Sequence, residues 1–153
     1  RGGLIVHVGC GDPPAGGLTA ALAQGDGCLV HGLESDGDRV RQARSYVRSL
    51  GIYGRVSIEE FDGKRLPYID NLVNLIVAQD LGQVTMDELL RAICPGGVAY
   101  VKQGDAWEKT VKPWPDSMDE WTHYLHDADG NPVAEDSIVG IPERLQWIGG
   151  LFA

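Results

Sequence analysis

The chain lacks long apolar runs and has no excess of basic residues. No segment reaches the ~18 consecutive apolar residues that a membrane-spanning helix needs. Thirteen Lys and Arg residues stand against 22 Asp and Glu residues, which gives a net charge of −9. A charge of this sign repels phosphate backbones and anionic lipid surfaces. The sequence therefore predicts no membrane span and no nucleic-acid partner.

Cysteine is scarce, and its spacing excludes two further classes of protein. Cys10, Cys28 and Cys94 are odd in number and form no CxxC pair, so neither a disulfide framework nor a cysteine-based zinc site is expected. Each lies in or beside an apolar segment and is interpreted as a small core residue. A basic cluster is interpreted as the solvated face of a helix rather than an anion-binding patch; its members are Arg39, Arg41, Arg44 and Arg48.

Short apolar runs alternate with helical patterns along the first two thirds of the chain. This alternation predicts an α/β fold, a doubly wound parallel sheet with helices on both faces. The predicted strands fall at 4–8, 28–34, 55–61, 71–80 and 94–102, the last fed by a Pro-Gly-Gly turn. The clearest helix begins at Asp36 or Asp38 and ends at Gly51. Its buried face is predicted to carry Val40, Ala43, Val47 and Leu50.

The turn after the first predicted strand, GCGDPPAGG at 9–17, lies where open parallel sheets bind ligands, beyond the carboxyl ends of the strands. Gly9 and Gly11 would permit positive φ angles and a close approach of the backbone to a ligand. Asp12 disfavours a pyrophosphate, because its carboxylate would repel one. Tight packing of the strand on the following helix explains the glycines nearly as well.

Three later carboxylates are predicted to reach the same edge of the sheet. Glu34 ends the second strand about 20 residues beyond the glycine turn, where a carboxylate accepts hydrogen bonds from both ribose hydroxyls of an adenosine; the alternative is a helix cap at Glu34 or Asp36. Asp62 would accept from an adenine amino group and Gly63 would allow a backbone contact to the ring, although a plain Asp-Gly turn is the alternative. Asp80 ends the fourth strand.

Taken in order, VHVGCGD, LTAALA, VHGLESD, FDGKRLPY, NLVNLIVAQDLG and CPGGVAYVK resemble a class I S-adenosylmethionine-dependent methyltransferase over roughly residues 3–102. The resemblance implies a Rossmann-like methyltransferase fold with strand order 3-2-1-4-5 and S-adenosylmethionine or S-adenosylhomocysteine as cofactor. It places Gly9 and Gly11 at the methionine part of the cofactor, Glu34 at the ribose and Asp62 at the adenine.

The sequence departs from that family at the methionine end of the pocket. His7 stands where the family usually has an acidic residue, and PPAGG replaces the usual third glycine. His7 is interpreted as a hydrogen-bonded core histidine. No motif identifies a methyl acceptor or a catalytic residue. Two alternatives stay open: a degenerate, non-catalytic scaffold or interaction module, and, less favoured, a nicotinamide-dependent oxidoreductase.

From residue 104 onward the chain is rich in Trp and Pro and has little periodicity beyond a short helical stretch around 116–125. The predicted division is a methyltransferase-like domain at 1–103 and an extension, or the start of another domain, at 104–153. The segment 118–150 resembles the junction before a pyrroloquinoline-quinone-type β-propeller in large planctomycete-type bacterial proteins. That resemblance implies a propeller in the same parent chain and export from the cytoplasm.

Two further expectations concern the ends of the sequence. The chain begins at Arg1 without an initiator methionine or a signal-peptide hydrophobic region, so it is expected to be part of a longer protein. In the tail, His123 and His126 lie on one face of a predicted helical turn, and Asp127 follows them. Without a further ligand in the sequence they are interpreted as interface residues rather than a metal site.

Overall fold

A computed structural model describes residues 2–24 and 27–119, together with Tyr124 and Ala128. The chain divides into two compact units, Arg1–Pro113 and Trp114–Ala153. The first unit contains six strands: β1 Gly3–Val8, β2 Cys28–Glu34, β3 Val56–Glu60, β4 Val73–Ala78, β5 Ile93–Gln103 and β6 Ala106–Val111. Its helices are α1 Gly17–Ala21, α2 Gly37–Ser49 and α3 Met86–Ala92.

The strands form one sheet in the order β3-β2-β1-β4-β5-β6. The first five are parallel, and β6 pairs antiparallel with β5. The predicted α/β class and the order 3-2-1-4-5 are confirmed. The sixth strand adds an edge that the sequence pattern did not predict.

Two apolar clusters cover the two faces of the sheet. One cluster packs Leu89 and Ala92 of α3 against residues of β1, β4 and β5 such as Ile76. The other packs Val40, Ala43 and Val47 of α2 against residues of β2 and β3. Burial on both faces explains why the central strands are apolar at nearly every position.

Helix α2 forms largely as its sequence predicts. The Asp36 carboxylate accepts hydrogen bonds from the N–H groups of Asp38 and Arg39 at 2.8 and 3.1 Å, which caps the helix. Gly51 ends it with a φ of 70°. The prediction for Leu50 is wrong, because this side chain is 47% exposed. It follows the last helical residue, where the chain already turns away from the sheet.

The Pro-Gly-Gly segment does not form the predicted turn before β5, because these residues belong to the strand itself. The pairing of β4 with β5 shifts between Val73 and Leu75. Gly96 adopts a φ of 74° at this irregularity. At Gly97 a Cβ would lie 2.6 Å from Ile93 Cγ2 and 2.9 Å from the Cys94 carbonyl oxygen. The two glycines therefore build a bulge inside the strand.

The sheet continues beyond residue 103, the predicted end of the domain. The N–H of Gly96 donates to the Lys112 carbonyl, and the N–H of Lys112 donates to the Gly97 carbonyl. The Lys112 ammonium group donates to Asn71 Oδ1 at 2.7 Å and to the carbonyl oxygens of Leu90 and Ile93 at 2.6 and 2.9 Å. It thereby satisfies carbonyl groups at the end of α3. The boundary between the two domains stays a prediction.

Replacing Lys112 with methionine is expected to lower the free energy of unfolding by about 1–3 kcal/mol, since hydrogen bonds from a charged donor are lost while the acceptors remain. Urea unfolding followed by circular dichroism measures this. Lys109→Met, a loss of the same charge at an exposed position of β6, is the matched control and should change stability by less than about 0.5 kcal/mol. Equal stability of the two variants would contradict the proposed anchoring.

The three cysteines differ in burial. Cys10 is 1% exposed, as predicted for a core residue, whereas Cys28 and Cys94 are half-buried at the borders of their strands, so the core interpretation is wrong for these two. Of the described helices, none is long and apolar enough to cross a membrane. His123, His126 and Asp127, and most of the predicted helical stretch at 116–125, lie outside the described residues.

Candidate functional site

A crevice of about 300 Å³ opens at the carboxyl ends of the parallel strands. It lies where the strand order reverses between β1 and β4, which is where open α/β sheets bind ligands. Six of the seven residues predicted from the sequence line it: Gly9, Asp12, Glu34, Asp62, Gly63 and Asp80. The seventh, Gly11, is hydrogen-bonded to Glu34 just beside it.

The two glycines of the turn serve different purposes. Gly9 has a φ of 77°, and a Cβ there would lie 3.2 Å from the Asp80 carbonyl oxygen. Gly11 does not have the positive φ angle that was predicted for it. It is required by space instead, because a Cβ at this buried position would collide with Glu34 Oε2 and lie 2.7 Å from Arg39 Cδ.

The proline-containing insertion uses backbone donors that a phosphate-binding turn would leave free. The N–H of Gly16 donates to the Cys10 carbonyl at 2.9 Å, and the N–H of Gly17 donates to the Pro14 carbonyl at 2.7 Å. These two groups stand at the start of α1, where N–H groups commonly bind anions. Since both are already paired, the start of α1 offers little to a pyrophosphate.

Glu34 ends β2 and is 6% exposed. Its Oε2 accepts from the N–H of Gly11 at 2.8 Å. Its Oε1 accepts from the N–H groups of Ser35 and Asp36 at 2.8 and 3.2 Å, and from Ser35 Oγ at 3.4 Å. The helix cap that was the alternative role belongs to Asp36. Glu34 instead joins the glycine turn to the start of α2, facing the crevice.

Asp62 and Asp80 both form short local turns. Asp62 Oδ1 accepts from the N–H groups of Lys64 and Arg65 at 2.8 and 2.9 Å, and these hydrogen bonds lower the pKa of the carboxyl group. Gly63 follows with a φ of 76°. Asp80 Oδ1 accepts from the N–H of Gly82 at 2.9 Å. The predicted Asp-Gly turn and the predicted place at the crevice are thus both present.

The segment that carries Asp62 is fixed by the neighbouring helix. Glu88 of α3 accepts from the N–H of Leu66 at 2.8 Å. Arg91 donates to Glu88, to Asp70 and to the Tyr68 carbonyl at 2.7–2.9 Å. The hydrogen bond from Arg91 lowers the pKa of Glu88, which keeps this carboxylate ionised.

A second set of contacts holds the same segment from the side of the sheet. The Tyr68 hydroxyl lies 2.7 Å from His31 Nδ1, and His31 Nε2 lies 3.2 Å from Glu59 Oε2. Burial lowers the pKa of His31, so the neutral ring accepts from Tyr68 and donates to Glu59. The wall of the crevice formed by residues 61–63 is therefore supported from two directions.

His7 is a core residue, as predicted. It is 1% exposed, and its Nδ1 lies 2.8 Å from Thr19 Oγ1. Within the described part of the chain, its Nε2 makes no hydrogen bond of standard geometry. Burial lowers the pKa of His7 to about 4, against the opposing effects of Asp12, Gln79 and Glu34. The imidazole is neutral at physiological pH.

The sequence interpretation missed Arg39, which lines the crevice. Its neighbours in the basic cluster do not: Arg41 and Arg48 are exposed, and Arg44 is half-buried with its Nε donating to the Ile58 carbonyl at 2.8 Å. Arg39 is itself exposed, so the solvated-face interpretation is wrong for Arg44 alone. The only sequence signal was the place of Arg39, three residues after the capping Asp36 and so beside the end of β2.

No protein-family model matches the chain. Methyltransferase GfsG from Streptomyces halstedii is 35% identical over 103 residues, which are 63% of this chain and 36% of that protein. The chain therefore spans only about a third of the length of this curated relative.

Comparison with solved structures identifies the fold of the described sheet. Geranyl diphosphate C-methyltransferase from Streptomyces coelicolor, in complex with Mg²⁺, geranyl diphosphate and S-adenosyl-L-homocysteine, aligns with a TM-score of 0.57 at 18% identity, over 65% of this chain and 37% of that one. The cyclase SpnF aligns with a TM-score of 0.55 at 28% identity, over 65% of this chain and 38% of that one. The described sheet thus has the class I methyltransferase-like fold.

Proposed function

We propose that the crevice binds S-adenosylmethionine or S-adenosylhomocysteine and that the chain is the cofactor-binding part of a methyltransferase. The observation that supports this most strongly is the convergence of the strand-end carboxylates of Glu34, Asp62 and Asp80 with Gly9 at the switch point of the sheet. Since the same fold also serves a cyclase, the proposal depends on this site and not on the fold.

The charges of the lining fit a cationic ligand better than a dinucleotide. Asp12, Glu34, Asp62 and Asp80 all line the crevice, and Glu34 is nearly buried, where a charge interacts more strongly than in water. The sulfonium and ammonium groups of S-adenosylmethionine are attracted to such a lining. A nicotinamide dinucleotide would bring two phosphate charges to the same carboxylates. The oxidoreductase alternative is therefore less favoured than binding of S-adenosylmethionine.

Each residue has a distinct role in the proposed complex. Glu34 accepts from the ribose hydroxyls chiefly through Oε2, which receives only the hydrogen bond from the N–H of Gly11. Asp62 accepts from the adenine amino group, and Gly63 lets the backbone approach the ring. Gly9 gives room to the methionine part, whereas Gly11 gives room to the Glu34 side chain. The bound cofactor supplies an activated methyl group, while the protein binds and orients it; the acceptor and any catalytic residue are not assigned.

A second candidate is a scaffold or interaction module that no longer binds the cofactor. Two observations favour it. The neutral His7 stands where the family usually has an acidic residue, so the methionine end of the crevice lacks that negative charge. The N–H groups at the start of α1 already donate to carbonyl groups of the insertion and of the turn before it. Association with a β-propeller and export of the parent protein stay predictions.

Calorimetric titration of the chain separates the candidates. We expect saturable binding of S-adenosylhomocysteine and S-adenosylmethionine with a Kd below about 1 mM, and no saturable heat with NADH. The physical reason is the charge of the lining together with two hydrogen-bond acceptors for adenosine. Absence of heat with both sulfur ligands at millimolar concentration would contradict the proposal and support the scaffold. Saturable binding of NADH alone would support the oxidoreductase.

A further inference from the structure

The turn between β1 and α1 offers few hydrogen-bond donors to a ligand. Most of its N–H groups already donate within the protein; they belong to Gly9, Cys10, Gly11, Gly16 and Gly17. Pro13 and Pro14 have no N–H group to donate. Of residues 9–17, this leaves Asp12 and Ala15. Such a turn stabilises an anionic group of a ligand weakly, because a carboxylate taken out of water needs hydrogen bonds from the protein.

The side chains that line the crevice carry mainly negative charge. Its charged groups are the carboxylates of Asp12, Glu34, Asp62 and Asp80 and the guanidinium of Arg39. Arg39 is exposed, so water screens its charge, whereas Glu34 is 6% exposed and its charge is screened less. The crevice therefore attracts cationic groups and repels anionic ones.

Asp12 brings one of these negative charges to the turn itself. Its side chain lines the crevice, and its charge opposes the effect of burial on the pKa of His7, a residue of β1. The Asp12 carboxylate is therefore felt at the carboxyl end of β1, where the turn begins. An anionic group that approached the N–H of Asp12 would also meet the carboxylate of the same residue.

These features act differently on the two charged groups in the amino-acid part of S-adenosylmethionine. The ammonium group, like the sulfonium, is attracted to the carboxylates of the lining. The α-carboxylate is repelled by them, and it exchanges water for a turn that has few donors. A ligand without the carboxylate keeps both favourable charges and avoids these costs.

We propose that the crevice selects adenosyl sulfonium ligands that carry an ammonium group and no α-carboxylate, the chemistry of decarboxylated S-adenosylmethionine. The inference rests on the proposed function, because it uses the same contacts of Glu34 and Asp62 with the adenosine. It extends the class of ligands beyond S-adenosylmethionine itself. Asp12 makes the selection, since its carboxylate attracts the ammonium group and repels a carboxylate.

Calorimetric titration with decarboxylated S-adenosylmethionine and with S-adenosylmethionine tests the selection. The two ligands share the adenosine, the sulfonium and the ammonium group and differ only in the carboxylate. We expect the decarboxylated ligand to bind about tenfold more tightly, since the other ligand loses the hydration of a charged group without full replacement. Raising the salt concentration from about 0.05 M to about 0.5 M should reduce this ratio, because salt screens charges at exposed positions.

The variant Asp12→Asn tests the residue responsible, because it removes the charge and nearly keeps the size of the side chain. It should weaken binding of the decarboxylated ligand about threefold, as for an exposed ion pair, and lower the ratio between the two affinities. Asp105→Asn is the same change at an exposed position that does not line the crevice, and it should leave both affinities unchanged. 5′-Methylthioadenosine, which has neither charged group, should bind wild type and Asp12→Asn with affinities within about twofold.

Two results would overturn the inference while leaving the proposed function intact. One is an affinity for S-adenosylmethionine equal to or higher than that for the decarboxylated ligand. The other is an unchanged ratio of the two affinities in Asp12→Asn, which would remove Asp12 from the selection. If the wild-type chain binds neither of these ligands nor S-adenosylhomocysteine, the proposed function itself fails. Thermal unfolding of each variant, expected to match wild type within a few degrees, separates binding from folding.

Discussion

Replacing Glu34 with glutamine is expected to lower the affinity for S-adenosylhomocysteine by about 100-fold or more. Two hydrogen bonds from ribose to a carboxylate are expected to contribute about 1.5–3 kcal/mol each, and each 1.4 kcal/mol is about tenfold in affinity. The amide of glutamine offers one acceptor oxygen where the carboxylate offers two. Its NH₂ group also faces the N–H of either Gly11 or Ser35, which both donate to Glu34. Calorimetric titration measures the loss.

Glu60→Gln is the matched control for this experiment. Glu60 pairs in register with Glu34 on the neighbouring strand but is exposed and does not line the crevice. The Glu60→Gln substitution therefore removes the same charge from a neighbouring position without changing a residue of the crevice. Glu34→Gln should also lose about 1–3 kcal/mol of unfolding free energy, because a buried donor is left unpaired. An affinity within threefold of wild type in a folded Glu34→Gln chain would remove Glu34 from the site.

Acidification is expected to destabilise the chain through His7. Burial lowers the pKa of His7 from 6.5 to about 4 in the folded chain. Between these values the unfolded chain binds more protons than the folded chain, so the free energy of unfolding falls as the pH is lowered. The contribution of His7 is complete above the unfolded pKa, and about 2 kcal/mol of it is lost between about pH 7 and pH 5. That is a large part of a typical stability of about 5–15 kcal/mol.

Urea unfolding of wild type and His7→Gln at several pH values isolates this effect. His31, whose pKa is also lowered, is present in both chains and cancels in the comparison. His7→Gln should be less stable at neutral pH but should lose about 2 kcal/mol less on acidification. Parallel pH profiles for the two chains would show that His7 titrates normally in the folded state.

The site was predictable from sequence where it depends on the ends of parallel strands. Glu34 and Asp80 end or follow predicted strands, and Asp62 follows a third. Parallel strands present their carboxyl ends at one edge of the sheet. The order of the elements alone was therefore enough to predict that side chains far apart in sequence lie close together. The glycine turn marked the same edge.

Other features of the fold and the site depend on tertiary packing, which the periodicity of apolar residues in the sequence does not reveal. Leu50 fits the apolar face of α2 by spacing, but the helix ends before that position reaches the sheet. The bulge at Gly96 and Gly97 has the composition of a turn, and only the pairing of β4 with β5 distinguishes the two. Arg39 belongs by spacing to a polar helix face, yet the direction in which α2 leaves β2 carries it over Gly11. The anchoring of Lys112 required the unpredicted strand β6.

A crystal structure of the chain grown with S-adenosylhomocysteine would show whether the crevice binds the cofactor through Glu34 and Asp62. We expect density for the ligand in the crevice, with both ribose hydroxyls within about 3 Å of the Glu34 carboxylate and the adenine amino group within about 3 Å of Asp62. Ligand density elsewhere on the chain, or at this edge with the adenosine turned away from Glu34 and Asp62, would contradict it.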